Sequence, residues 1–366
     1  MIETVIIGAG PAGLSVAACL ARAGRSFEII DRADSVGSAW RGHYDRLHLH
    51  TDKRHSELPY HPFPRDYPKY PSRDELIAYL EAYAAATALA PRLGETVTHA
   101  RHADGWEVTT SRGSYRARNL VVATGYTQVP ELPVFPGRDA YSGEVIHSSA
   151  YRTGAAYRGR RALVVGFGNS GGEIAIDLIE QGVAADIAVR SPINVVKRDV
   201  FGLPILAIAG LLAWLPPRLA DALAWPITRI TVGDIGKLGL RKLPYGPMCQ
   251  IARTGRVPVL DIGTLALIRD GKLGLRRGIA RFERDEVVFD DDSRSRYDLI
   301  VLATGYRPGV AQFLAADGVL DAKARPRTSG KRAAPGLYFC GFYVSPIGML
   351  REIAREARAI AADIAR

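Results

Sequence analysis

Thr4-Val-Ile-Ile-Gly8-Ala-Gly10-Pro-Ala-Gly13, followed by an apolar run to Ala23 and then by Phe27-Glu-Ile-Ile-Asp31, is the stretch that decides the fold. Thr4 to Ile7 reads as a buried parallel strand, Ala12 to Ala23 as a helix, and Phe27 to Ile30 as the next strand. Together they make one βαβ unit of about 30 residues. Within it Gly8 makes the tight turn, Gly10 lets the backbone approach a pyrophosphate, and Gly13 lets the helix pack closely. The unpaired N–H groups and the positive dipole end of the helix then form an anion site. Asp31, 18 residues beyond Gly13, stands where a carboxylate accepts ribose hydroxyls. A G-x-G-x-x-G alone also occurs in ligand-free turns; strand, helix and acid around it make it specific.

A second unit starts at Arg161, where Ala-Leu-Val-Val runs into Gly166-Phe-Gly168-Asn-Ser-Gly171, a helix to Glu180 and a strand Asp186-Ile-Ala-Val. This strand ends at Arg190-Ser191 instead of at an acid. Arginine pairs with a 2′-phosphate that a carboxylate repels, so the second site reads as one for NADPH. The alternative for Arg190 is a solvated strand end. One turn with an acid and one with an arginine point to FAD plus NADPH, since flavin accepts hydride from a nicotinamide.

Two further strands share one ending, Leu120-Val-Val-Ala-Thr-Gly-Tyr126 and Leu299-Ile-Val-Leu-Ala-Thr-Gly-Tyr306, each after a hairpin-like stretch. The expected fold is therefore α/β, with two Rossmann-like dinucleotide-binding domains, the second inserted in the first. Residues 1–155 and 295–366 would form the FAD-binding domain and 156–294 the NADPH-binding domain, with an apolar insert at about 198–250.

With 366 residues, 47% of them hydrophobic, the chain is long enough for two domains with their own cores. Cys19, Cys249 and Cys340 stand far apart, so neither a disulfide framework, a redox pair nor a metal site is expected. The N-terminus enters a strand directly, without a signal-peptide pattern, and a cytoplasmic location is expected. The net charge of +10 is scattered without a basic–aromatic run, which speaks against nucleic acid and for phosphates and an anionic substrate. Residues 201–232 are the most apolar, but the run breaks at Pro216-Pro217-Arg218, short of the ~20 residues of a membrane span. Its readings are core or homodimer packing, a lid over a substrate tunnel, or peripheral membrane contact.

Tyr141-Ser-Gly143-Glu-Val-Ile-His147-Ser-Ser-Ala-Tyr151 resembles the F-x-G-x-x-x-H-x-x-x-(F/Y) fingerprint of the flavin-containing monooxygenases. Further blocks resemble their YUCCA branch: Val36 to Trp40, Tyr44-Asp-Arg-Leu-His-Leu-His50, Pro62 to Pro71, Val165 to Gly171, Thr254 to Gly263 and Ala303 to Tyr306. The resemblance implies a C4a-(hydro)peroxyflavin formed with O2, oxidising indole-3-pyruvate to indole-3-acetate with loss of CO2. The alternatives are oxygenation of a nitrogen or sulfur nucleophile, and an NADPH–flavin electron-transfer reductase. Implied FAD contacts are Gly8, Gly10, Pro11, Ala12, Gly13, Asp31, Arg32, Trp40, Val97, Thr124, Gly125 and Gly341. Gly166, Gly168, Asn169, Ser170, Gly171, Arg190, Ser191 and Thr304 complete the cofactor set. His50 and Asn169 are the candidate catalytic residues. His50 either bonds the oxygen adduct or the nicotinamide amide, sets the protonation of the peroxide, or supports its own loop. The first Ala-Thr-Gly is followed by Tyr126, where plant members usually carry an acid and Asn.

Overall fold

β1 (Ile2–Ile7), α1 (Pro11–Arg22) and β2 (Phe27–Ile30) form the first βαβ-type unit in the computed structural model, which describes residues 1–366. Val5 and Ile6 have no exposure, because a parallel strand covered on both faces leaves no solvent side for polar residues. α2 (Arg73–Ala86) starts at a capping box in which Ser72 and Glu75 bond each other's backbone N–H. β3 (Val97–Ala103), β4 (Gly105–Thr110) and β5 (Gly113–Val122) then make an antiparallel meander, with Trp106 opposite Ala117 and Thr109 opposite Ser114. The far end of β5 re-enters the parallel sheet, setting Val121 beside Ile6.

A second sheet is built from β6 (Glu144–His147), β7 (Arg161–Val165), β8 (Ala184–Ala188), β9 (Leu273–Arg276) and β10 (Leu299–Leu302). Its five strands are all parallel, in the order β9-β8-β7-β10-β6. α3 (Asn169–Glu180) links β7 to β8, and α4 (Ile205–Leu212) and α5 (Pro217–Thr231) follow later. The chain returns to the first sheet with β11 (Leu337–Phe339), parallel to the end of β5, and closes with α6 (Met349–Ile364).

Two compact units result: Met1–Gly42, Thr51–Val129 and Tyr306–Arg366 in one, His43–His50 and Pro130–Gly305 in the other. The second unit begins earlier than the sequence reading placed it, for identifiable reasons. β6 pairs with β10, setting His147 beside Leu302. The Tyr141 hydroxyl donates to the Tyr297 carbonyl and the Tyr151 hydroxyl to Asp177, so the whole fingerprint is fastened to this unit. β10 completes the second sheet, which moves the return point from 295 to Tyr306. Tyr44 is buried in the same core, and the Asp45 N–H donates to the Arg152 carbonyl.

In the first unit Gly341 leads into α6 only after a loop, with Gly348 at the N-cap. The Gly341 N–H donates to Glu356 of α6 at 2.6 Å. Burial pushes the Glu356 carboxyl up to about 6, against the opposing pull of that N–H. A raised folded-state value means stability that is complete below the unfolded value near 4.5 and lost as pH rises through about 6. Between pH 4 and 7 the chain should therefore lose about 2 kcal/mol relative to Glu356→Gln. Denaturant unfolding of both proteins across that range measures it, and parallel curves would refute the assignment.

Candidate active site

The two glycine turns are built alike. A Cβ at Gly13 would land on the Gly8 carbonyl oxygen, and one at Gly171 on that of Gly166, so each helix rests on the backbone of its own turn. A Cβ at Gly10 or Gly168 would meet nothing within 4 Å. These are the N-caps of α1 and α3, and neither helix end is capped by a side chain. Each turn thus offers uncapped N–H groups and open space, the requirement for a pyrophosphate. Pro11 and Ala12 open α1. Thr124, beside Gly8 at the end of β5, has a buried hydroxyl with no partner, a further group for a ligand to satisfy. The residues present fit a dinucleotide at each turn.

Around the first turn, Asp31 accepts the N–H of Ala9 at 2.6 Å and of Ala33 at 2.9 Å, which fixes its carboxylate at the end of β2. Arg32 donates to Gln128, whose amide in turn donates to the Thr124 carbonyl; Gly125 follows Thr124 in this loop. Trp40 lies in a one-turn helix, Ser38–Arg41, and Val97 opens β3. The N–H of Gly341 is already committed to Glu356.

Around the second turn, the Asn169 side-chain oxygen accepts the Leu260 N–H at 2.9 Å, so this residue ties the turn to the strand Val259–Asp261. Ser170 meets the Tyr44 hydroxyl. Arg190 and Ser191 are exposed just past β8. The Arg190 carbonyl accepts from the Arg241 guanidinium, and its aliphatic stem lies over Gly278. A cleft of about 210 Å³ opens here, lined among others by Val189, Leu240, Leu275, Arg241, Arg277 and Asp291. Thr304 donates to the Glu131 carbonyl.

Glu173, missed by the sequence reading, lies on α3 two residues past the glycine turn and is 2% exposed. One of its oxygens meets His50 Nε2, and the other has no partner of normal geometry. Tyr44 is close by, and its hydroxyl is pushed well up by burial and then by the Glu173 charge. The signal available in sequence was an acid inside an otherwise apolar helix. His147 of the fingerprint is buried, with Nδ1 accepting from the Ser149 N–H and Nε2–H donating to the Gly305 carbonyl. Burial lowers its pKa, which keeps it neutral and suits it to joining two loops.

Two glycine turns of this kind define a two-nucleotide flavoprotein oxidoreductase, and residues 5–200 match the pyridine nucleotide-disulphide oxidoreductase family model. The indole-3-pyruvate monooxygenase YUCCA1 of Oryza sativa subsp. japonica is 42% identical over 348 residues, 92% of this chain and 86% of that protein. A flavin-containing monooxygenase from Stenotrophomonas maltophilia superposes with a TM-score of 0.77 at 23% identity, covering 99% of this chain and 98% of that one. The OTEMO complex with FAD and NADP superposes with a TM-score of 0.73 at 19% identity, covering 99% of this chain and 85% of that one. The chain belongs to the YUCCA family of flavin monooxygenases within this oxidoreductase class. The family name carries a disulphide, but here all three cysteines are free and buried.

The turns make a paired prediction. Gly171→Ala should destabilise the protein by about 1–3 kcal/mol, since the added methyl must displace backbone. Gly168→Ala should leave the unfolding midpoint nearly unchanged and raise the KM for NADPH about tenfold or more, read by denaturant unfolding and steady-state kinetics.

Proposed function

We propose that the first unit binds FAD, the second binds NADPH, and that the chain uses both with O2 to convert indole-3-pyruvate to indole-3-acetate. The reading rests on one observation above all: the paired turns end differently, in Asp31 on one and in Arg190 on the other. The balance is one α-keto acid, one NADPH, one proton and one O2 giving the shortened acid, CO2, NADP⁺ and water. Bound FAD supplies the redox chemistry, taking hydride from NADPH and passing electrons to O2.

The chain's own residues hold and orient. Asp31, already fixed by two backbone N–H groups, has lone pairs left for ribose hydroxyls. Arg190 would hold the 2′-phosphate of NADPH, and Arg241 steadies it by donating to its carbonyl. The amide nitrogen of Asn169 is left to donate to the nucleotide once its oxygen is taken by Leu260. His50 is the proton-handling residue. Its Nε2 is engaged by Glu173, which fixes the ring and leaves Nδ1 as the atom that exchanges a proton. Glu173 is a positioning residue acting through His50.

Turnover under ¹⁸O2 tests this reading: one labelled oxygen should appear in the indole-3-acetate carboxylate, with CO2 released in step with NADPH oxidation. NADPH oxidation yielding only hydrogen peroxide, with rapid reduction of one-electron acceptors, would overturn it in favour of a reductase. Arg190→Gln should raise the KM for NADPH about 10–100-fold and leave that for NADH unchanged, the worth of a charge-assisted hydrogen bond. His50→Gln should lower kcat for product about 100-fold while NADPH binding persists. Glu173→Gln should give a smaller loss of kcat with the same unchanged NADPH affinity; equal loss in both kcat and affinity would mark Glu173 as merely structural.

A further inference from the structure

Phe201 and Gly202 form the two-residue tip of a small hairpin, Asp199–Val200 against Leu203–Pro204. Both have positive φ, 50° and 81°, a conformation that Asn, Asp or Gly adopts readily and an aromatic residue does not. Burial does not offset this strain, because Phe201 is 81% exposed. An aromatic ring is thus held out into solvent at a backbone cost, which points to a contact outside the chain.

The hairpin runs straight into α4 and α5, and the exposure continues. Eight of the fourteen large apolar side chains exposed in the chain fall between Phe201 and Ile230, so they form a local feature and not the usual scatter. Trp214, between the two helices, is 92% exposed. On α5, Leu219, Leu223, Pro226 and Ile230 follow at i, i+4, i+7 and i+11, a single exposed stripe.

Charge selects among possible occupants. Residues 201–233 contain one carboxylate, Asp221, and it is spent inside the unit, accepting the N–H groups of Met248 and Cys249 at 2.8 and 2.9 Å. Arg218 and Arg229 are exposed beside the apolar stripe. The face is therefore apolar with Arg218 and Arg229 as its exposed charges, and of the carboxylates that flank it Asp199 pairs with Arg198 and Asp234 accepts the Gly236 N–H. No helix is long and apolar enough to cross a membrane, and α4 is only eight residues long.

We propose that this face docks in the plane of an anionic lipid bilayer. Phe201, Trp214 and the α5 stripe enter the headgroup boundary, while Arg218 and Arg229 meet lipid phosphates. A second copy of the chain fits less well: in a twofold contact the face meets itself, and its exposed arginines oppose arginines, since Asp221 and Asp199 are already engaged within the chain.

Co-sedimentation of the FAD-loaded full chain with phosphatidylcholine vesicles, with and without phosphatidylglycerol, tests the proposal, with sedimentation velocity run in parallel. Binding to the anionic vesicles, weakened by salt, is the expected result. Arg218→Gln and Arg229→Gln should each weaken it roughly fivefold. Phe201→Gly should reduce binding while keeping or raising the unfolding midpoint, because the strained φ is relieved, so a loss of binding there is not a loss of fold. Absence of binding to anionic vesicles, or binding indifferent to these substitutions, overturns the proposal. So does a dimer that Phe201→Gly dissociates while no vesicle binding is seen.

Discussion

Each nucleotide turn works because a helix rests directly on the carbonyl of the residue that ends a strand. Gly13 against Gly8 and Gly171 against Gly166 are contacts with no room for a single methyl group. That closeness carries the N-terminus of the helix to the end of the sheet with its N–H groups uncovered. The neighbouring strands must then be apolar through their length, since helix packing leaves them no wet face. Val5, Ile6, Leu163 and Val164 are all completely buried, and the two uncapped helix ends stand on that dry foundation.

α3 carries a second constraint. Glu173, Asp177 and Glu180 recur at i, i+4 and i+7, one stripe along a helix that is otherwise largely buried. Each acid takes a different partner: His50, then Tyr151 with the Gly154 N–H, then Arg46. Buried carboxylates left without such partners would be costly, so the stripe holds its visitors firmly. The eight-residue segment His43–His50 is counted with the second unit for this reason, although the chain on either side of it belongs to the first.

Much of this was legible in the sequence. The strand–glycine–helix signals of both turns, the Trp106 hairpin and the alternation from acid to arginine after the second strands are local patterns, and local patterns survive without knowledge of the fold. Long-range partners are another matter. β6 is short and hidden inside the fingerprint motif, and only its pairing with β10, far along the chain, reveals it as a strand. Glu173 is an acid in an apolar helix, a local signal that the sequence reading passed over, and nothing local names His50 as its partner. Asn169 looked like a nucleotide contact, and the competing claim of the Leu260 N–H comes from a strand more than two elements away. Arg241 reaches the Arg190 carbonyl from a loop that the sequence gives no reason to place there.

The first sheet contains strands from both ends of the chain, with β11 lying against β5 and little room for a side chain at Gly341 beside Ala12 of α1. On the ribosome this imposes a schedule. The second unit has all its strands once Leu302 has emerged, whereas the unit that starts first must wait for the last few dozen residues before β11 and α6 can close it. At typical synthesis rates of about 5–20 residues per second, the earlier-made half stays an open edge for seconds while the later-made half is already folded. The N-terminal nucleotide fold is thus the last part of the molecule to mature, and the interval in which it is most exposed to proteases and chaperones is written into the order of its strands.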